Sequence, residues 1–233
     1  MFSILRLEHT PIYEQLQLEE ALLRADDRQW CLINQGSTPA IVMGISGKPQ
    51  LLLNIPEVLR ADVPVIRRYS GGGTVIVNSQ TLFISFIGNG KKTPKDLLEE
   101  VYDWIKPLFP PNFSIKENDF TLSDYKIAGN AQYLATNRWV HHLTILWDFD
   151  PAQMGLLKLP EKRPAYREDR DHTQFLCRLK DFYPCQDSWL KALEEHLIGH
   201  LTCSKTDFDF KAVLQRPHRK STTFVDLTHS ADL

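Results

Sequence analysis

Arg67-Arg68-Tyr69-Ser70-Gly71-Gly72-Gly73-Thr74-Val75 lies between β-prone runs, residues 63–68 before it and residues 74–77 and 81–87 after it. Three consecutive glycines let the backbone adopt positive φ and pass close to a ligand. The arginines ahead of them carry forked donors suited to a phosphate or a carboxylate. Strand-forming residues follow the glycines, so the segment is expected to join antiparallel strands. A dinucleotide-binding turn would place a helix there and space its glycines, and a Walker A loop would close on Gly-Lys-Ser/Thr. Neither pattern is present. The expected fold is therefore α+β, with a mixed, largely antiparallel sheet and packed helices.

A second run, Asp124-Tyr125-Lys126-Ile127-Ala128-Gly129-Asn130-Ala131-Gln132, sets a lysine three residues before another glycine. An ammonium held in a desolvated pocket can stabilise charge that builds on a carbonyl or phosphate oxygen. The same lysine could instead be a solvated turn residue. Asn118 and Asp119 suit either a nucleotide, with an oxygen for magnesium, or an ordinary turn. Residues 139–147 alternate as a strand, so His142 and Thr144 share one face and His141 takes the other. His142 reads equally as a substrate-orienting group and as a satisfied structural histidine.

The remaining elements follow from local signals. Residues 11–23 read as an amphipathic helix with Ile12, Leu16 and Leu23 on its apolar side. Short strands are expected at residues 30–33 and 40–43, and Pro56 argues against a long strand within residues 48–61. Thr93 as N-cap, Pro94 at N1 and Asp96 at N3 predict a helix that buries Leu97, Leu98, Val101, Trp104 and Ile105 and stops near Pro107. Residues 113–132 read as short strands turning at Ser123-Asp124. Residues 155–171, rich in proline and charge, read as an irregular excursion. A further helix is expected over residues 187–197 with Gly199 as its cap, and a short strand at residues 223–227.

The chain has 233 residues, enough for one substantial core, and is expected to form a single domain over residues 1–233 without a separate C-terminal accessory domain. A formal charge of −2 and the absence of basic-aromatic clusters argue against nucleic acid. No apolar run reaches membrane-spanning length. Cys31, Cys177, Cys185 and Cys203 lack zinc-type or disulfide-framework spacing, which suggests a reducing, cytoplasmic setting.

Arg67–Val75, then Lys126–Gln132, then His142-Leu143-Thr144, in that order, resemble the lipoate-protein ligases of the A type in the biotin/lipoate A/B protein ligase superfamily. Asn118-Asp119-Phe120, the helix carrying Glu19-Glu20-Ala21-Leu22, and residues 156–182 extend the likeness over nearly the whole chain. The resemblance implies that ATP and Mg2+ activate lipoate or octanoate as an acyl-adenylate. The acyl group would then pass to a lysine of a lipoyl carrier domain, of a 2-oxoacid dehydrogenase or of the glycine-cleavage H protein. It implies Lys126 as the catalytic residue. It also implies acyl- or adenylate-binding roles for Arg68, Tyr69, Ser70, Gly71, Gly72, Gly73, Asn118, Asp119, Gly129, Asn130, Ala131, His142 and Thr144, with Asp119 toward magnesium.

The family pattern is broken at two places. Val77 and Asn78 stand where a histidine and an acidic residue are usual, and Gly44-Ile45-Ser46-Gly47-Lys48 replaces Gly-Arg-x-Gln-Asn. The chain is also shorter than ligases that carry an accessory domain, which some relatives supply as a separate protein. Two other readings remain: a carrier acyltransferase working through a Cys177 thioester, and a non-catalytic lipoyl-binding protein.

Overall fold

The computed structural model describes residues 1–201, 204, 205, 208 and 210–228; Cys203 lies outside the described residues. In chain order the elements are β1 (Phe2–Glu8), α1 (Ile12–Ala25), β2 (Gln29–Gln35), β3 (Ala40–Met43), α2 (Pro49–Leu52), α3 (Ile55–Ala61), β4 (Val65–Arg67), β5 (Val75–Val77), β6 (Thr81–Asn89) and α4 (Pro94–Ile105). There follow β7 (Phe113–Lys116), β8 (Asp119–Leu122), β9 (Tyr125–Leu134), β10 (Arg138–Leu146), α5 (Pro151–Met154), α6 (His172–Phe175), α7 (Gln186–His200), β11 (Ser204–Lys205), α8 (Phe210–Leu214) and β12 (Thr223–Phe224).

Eight strands form one sheet in the order β11-β1-β2-β6-β10-β9-β8-β7, and four form a second in the order β12-β4-β3-β5. Pairings β1–β11, β1–β2 and β3–β4 are parallel and the others antiparallel, the mixed α+β arrangement expected. The large sheet is buried on both faces. Along β6, Leu82, Ile84 and Phe86 point into one core while Phe83 and Ile87 point into another. The first core holds α4 and α7, and the second holds α1 and the inner face of the small sheet.

Local chemistry accounts for α4. Thr93 Oγ1 accepts from the Asp96 amide at 3.2 Å, and all five expected apolar side chains are buried. Such a cap contributes about 1 kcal/mol. Helix α7 differs from expectation. It runs through Gly199 to His200, and the Leu201 amide still bonds the Leu197 carbonyl, so the glycine is an exposed residue of the last turn rather than its stop. Residues 48–61 form α2 and α3, with Pro56 in the first turn of α3, where its missing N–H is harmless. Among the described residues of the tail, Thr223 and Phe224 pair as strand, on β4.

The glycine segment also departs from a simple hairpin. Strands β4 and β5 run in opposite directions but do not touch, because β3 lies between them. The loop therefore crosses the end of β3. The Arg68 amide bonds the Met43 carbonyl and the Ile45 amide bonds the Ser70 carbonyl, each at 2.9 Å. A Cβ on Gly44 would lie 2.2 Å from the Gly72 carbonyl oxygen, so this crossing requires glycine at position 44.

Asp26 joins the end of α1 to β2. Its carboxylate accepts from Arg28 Nη2 at 2.7 Å and from Trp30 Nε1 at 3.0 Å. Burial would raise its pKa, but the bonds from Arg28 and Trp30 outweigh it and bring the value to about 2. The unfolded value is ~3.9, so this stabilisation is complete above that pH and is lost as pH falls through the folded value. Asp26→Asn should lower unfolding free energy by roughly 1–2 kcal/mol at neutral pH. In urea titrations across pH, the gap to the parent protein should shrink as pH drops below 4 toward about 2; a constant gap would refute the assignment.

Candidate functional site

Two cavities meet beneath the glycine loop. A narrow tunnel of about 80 Å³ runs past Ile12 and Leu16 of α1, Val42, Val77, Phe83 and Ala131, with Gln15, Glu19, Arg68, Asn130 and His142 among its polar lining. A wider cleft of about 490 Å³ extends over residues 117–119 and 157–172. Gly73, Thr74, Val75, Lys126, Gly129 and Thr144 line both. Lys126 and the triple-glycine bend therefore share the junction.

A β-bulge aims that lysine. Opposite β8, Phe120 pairs with Ala128 but Thr121 pairs with Lys126, leaving Ile127 as an extra residue in β9. Ile127 and Ala128 consequently both enter the same core. Strict alternation would turn Lys126 away from Gly129 and Ala131; the bulge returns it to their face. Its Nζ lies 2.6 Å from Asp119 Oδ1, and Tyr166 donates to Asp119 Oδ2 at 2.9 Å. Burial, reinforced by Asp119, raises the Tyr166 phenol well above its usual value, so it acts as a donor.

The glycine loop is shaped from inside. Arg68 is 5 % exposed, and its guanidinium donates to Ser70 Oγ at 3.1 Å, to the Gly71 carbonyl at 3.0 Å and to the Val42 carbonyl at 3.4 Å. Burial lowers its pKa to about 10, which leaves it charged at neutral pH. Gly72 has φ +94, and a Cβ there would meet Arg68 Nη2 at 2.6 Å. Gly71 and Gly73 have no protein atom within 4 Å of a hypothetical Cβ. At Gly73, which lines both cavities, that clear space opens onto them. Arg67 points to the other side and bonds the Ile45 and Gly47 carbonyls.

Tyr69 and Ser70 are not on the cavity surface. The Tyr69 ring is 1 % exposed within the core and its hydroxyl donates to Glu19, because chain alternation turns it under the loop. Ser70 is fully buried and bonds His142 Nε2 at 2.9 Å. Gly71 likewise lines neither cavity. Asn118 and Asp119 line the cleft, Asn130, Ala131 and His142 the tunnel, and Gly129 and Thr144 both. His141 takes the opposite face and stacks on Phe120, as the strand period requires.

The sequence reading did not single out Glu19 as a site residue. Its carboxylate accepts from Ser85 Oγ at 2.6 Å, Gln15 Nε2 at 2.8 Å, His142 Nδ1 at 3.0 Å and Tyr69 Oη at 3.3 Å. Burial alone would raise its pKa; bonds and charge from His142, with Ser85 and Gln15, prevail and hold it below the ordinary carboxylate range. His142 Nδ1–H donates to Glu19, and Nε2 on the far side of the ring shares a hydrogen bond with the Ser70 hydroxyl. Glu19, His142 and Ser70 thus form a carboxylate–imidazole–hydroxyl row, but the hydroxyl is sealed from solvent and occupied by Arg68. That excludes it as an attacking nucleophile in this state. The available signal was spacing: Ile12, Gln15, Leu16 and Glu19 recur at i, i+3, i+4 and i+7 of one helix face.

Residues 155–171 pack against β8 and the turns on either side of it. The Ala165 amide bonds Glu117 Oε1 at 2.6 Å, and Arg170 Nη1 bonds the Asp124 carbonyl at 2.8 Å. This segment brings Lys158, Lys162, Arg163 and Arg167 to the cleft, which thus carries five cationic side chains, Lys126 included, against the carboxylates of Glu117 and Asp119. Such a cleft suits a polyanion. Cys177 lines neither cavity, and burial pushes its thiol up to about 12. Among the described residues no group of three or more His, Cys, Asp or Glu side chains could hold a metal. Glu117 and Asp119 are the carboxylates of the cleft, and both oxygens of Asp119 already accept, from Lys126 and Tyr166.

Residues 11–201 match the model of the lipoyl protein ligase A/B catalytic domain. A Plasmodium falciparum (isolate 3D7) protein named inactive lipoate–protein ligase 2 is 26% identical over 235 residues, covering 72% of this chain and 61% of that protein. Lipoate-protein ligase LplJ of Bacillus subtilis (strain 168) is 29% identical over 138 residues, covering 57% of this chain and 42% of that protein. The chain spans about half the length of the curated relatives it matches. Among solved structures, lipoate-protein ligase A bound with ATP superposes with a TM-score of 0.68 at 17% identity, covering 92% of each chain. The bi-partite lipoate protein ligase of Thermoplasma acidophilum, described with its E2 lipoyl domain, gives 0.70 at 17% identity, covering 92% of this chain and 89% of that one. The chain belongs to the lipoyl protein ligase A/B catalytic domain family and has the fold of the lipoate-protein ligases.

Proposed function

We propose that this chain is an acyl-adenylate-forming lipoate–protein ligase, which activates lipoate or octanoate with ATP and transfers the acyl group to a lysine of a lipoyl carrier domain. The observation that carries this reading is the position of Lys126, at the junction between an apolar tunnel and a cationic cleft. The tunnel takes the acyl tail, and the cleft takes the nucleotide. A carboxylate oxygen of the acid attacks the α-phosphorus, and the bond from that phosphorus to the β-bridging oxygen breaks, releasing pyrophosphate. The carrier amine then attacks the acyl carbonyl, the carbon–oxygen bond to phosphate breaks, AMP leaves and the amine loses a proton.

Lys126 stabilises charge on the α-phosphate in the first step and on the carbonyl oxygen in the second. Asp119 holds the ammonium at the junction and is the residue that would hold magnesium, which shields the phosphates when bound. Tyr166 fixes the second oxygen of that carboxylate. Residues 11–201 supply the catalytic domain. The carrier is an E2 lipoyl domain of a 2-oxoacid dehydrogenase or a glycine-cleavage H protein. The family membership, the ATP-bound structural neighbour and the lipoylation system of the Thermoplasma neighbour support this assignment.

A non-catalytic lipoyl-binding role is the second reading, favoured by the similarity to a protein named inactive and by the Lys126–Asp119 ion pair. A Cys177 thioester is disfavoured, because a thiol pushed up to about 12 supplies almost no thiolate at neutral pH. Incubation of an apo lipoyl domain with the protein, ATP, magnesium and lipoate should raise the domain's mass by one lipoyl group. Lys126→Ala should reduce that rate by about 100-fold or more. No mass change with either acid would leave the binding role as the better description.

Iodoacetamide mapping checks the thiol chemistry separately. Cys185 is exposed and its pKa is lowered, first by its hydrogen bond with Ser188. It should be alkylated at least ~10-fold faster than Cys177 at pH 8, and Cys177→Ser should leave lipoylation unchanged. Rapid labelling of Cys177 together with loss of transfer in the serine variant would restore the thioester route.

A further inference from the structure

Arg167 is the least compensated buried charge in the cleft. It is 4 % exposed, and Nε donates to the Arg170 carbonyl at 3.1 Å while Nη2 contacts His172 Nδ1 at 3.3 Å. Burial, followed by the neighbouring Arg167 charge, lowers the His172 pKa, so the imidazole is neutral and offsets none of that charge. A guanidinium has five N–H donors. The others find no acceptor among the described residues, and no described carboxylate forms an ion pair with Arg167. Its guanidinium carbon lies 4.6 Å from the centroid of the Phe175 ring, which braces the flat group without neutralising it.

The contrast with Arg68 is informative. Both arginines are buried and each has a carboxylate nearby without an ion pair, Glu19 for Arg68 and Asp171 for Arg167, but Arg68 has its donors directed at two carbonyls and a hydroxyl. Burying a cation without an anionic partner is costly, and a ligand anion would offset that cost. The site is also held in place. Ala165 is tied to Glu117, Tyr166 to Asp119, and Arg170 to Asp124, so Arg167 is fixed by bonds on both sides of it. Lys158 lines the same cleft, with its ammonium on the Gln50 carbonyl and no carboxylate partner among the described residues.

We infer that Arg167, with Lys158 of the same cleft, is the binding site for the β- and γ-phosphates of the nucleotide and therefore for the pyrophosphate that leaves. This rests on the adenylating reading of the same cleft. As the α-phosphorus–oxygen bond breaks, the electron pair stays on the β-bridging oxygen. A fixed guanidinium stabilises that growing charge, while Lys126 serves the α-phosphate and the acyl group. The two cations thus divide the reaction: Arg167 acts only while pyrophosphate is attached or departing, and Lys126 acts in both steps.

Two measurements test the assignment. Titration calorimetry with inorganic pyrophosphate should show binding that Arg167→Met weakens at least ~10-fold and Arg167→Lys weakens less. Exchange of labelled pyrophosphate into ATP, with octanoate present, should fall about 100-fold in Arg167→Met. Transfer from synthetic octanoyl-adenylate to an apo carrier should stay within about threefold of the parent protein, since no pyrophosphate takes part in that step. The intact transfer step also shows that the variant is folded. Equal pyrophosphate binding by the parent and the Met variant, no binding by the parent, or equal losses in exchange and transfer would overturn the assignment. A parent protein that binds pyrophosphate through Arg167 but supports neither exchange nor transfer would keep this site and remove the ligase reading.

Discussion

The buried carboxylate of Glu19 is the constraint around which the site is assembled. Four donors reach it from four parts of the chain: Gln15 in its own helix, Tyr69 under the glycine loop, Ser85 on β6 and His142 on β10. Removing one partner of such a charge typically costs several kcal/mol, since the remaining charge is left desolvated. The helix, the large sheet and the glycine loop are therefore held in one relative position by an anion that none can leave cheaply. Through His142 the same network reaches Ser70, and through Ser70 it reaches Arg68 and the carbonyl of Gly71. The tunnel wall and the loop above it are consequently one hydrogen-bonded unit.

Around that unit, two backbone irregularities place the reactive region. The bulge at Ile127 turns Lys126 to the face of Gly129, and Gly44 lets the loop pass over the end of β3. Each is a local exception to a regular sheet, and each acts on one side of the same junction. A regular β9 would leave the junction without its cation. A side chain at position 44 would push the Gly72 carbonyl away and open the roof.

The parts legible in the sequence are those fixed by near neighbours along the chain. Helix α4 could be read because Thr93, Pro94 and Asp96 determine its start and its apolar side chains recur on one face. The shared face of His142 and Thr144 followed from strand alternation. The glycine segment announced a site through its composition, but not the strand inserted between its flanks, because that pairing joins residues far apart in sequence. Tyr69 illustrates the same limit: within the motif it looks like a ligand, yet it closes the bond to Glu19 beneath the loop. Glu19 itself was hidden by the ordinary rule that an acid on a helix faces water. Arg167 was hidden in a segment with no period at all, where only tertiary packing decides which of several charges is buried.

The two ends of the site differ in how fully the protein satisfies its own polar groups. Glu19, His142 and Arg68 at the tunnel wall, with Ser70 behind them, bond to one another or to the backbone, so an apolar tail entering there would meet polar groups that are already partnered. In the cleft the cations outnumber the carboxylates, and Arg167 has donors with no acceptor among the described residues. A ligand there completes the electrostatics rather than merely filling space. Binding at the acyl end is accordingly governed by shape and apolar contact, which salt barely affects, while binding at the cationic end is governed by charge and should weaken as ionic strength rises. A molecule that joins an apolar tail to a phosphate across Lys126 satisfies both ends at once, and this is the structural reason for favouring an acyl phosphate anhydride over either half alone.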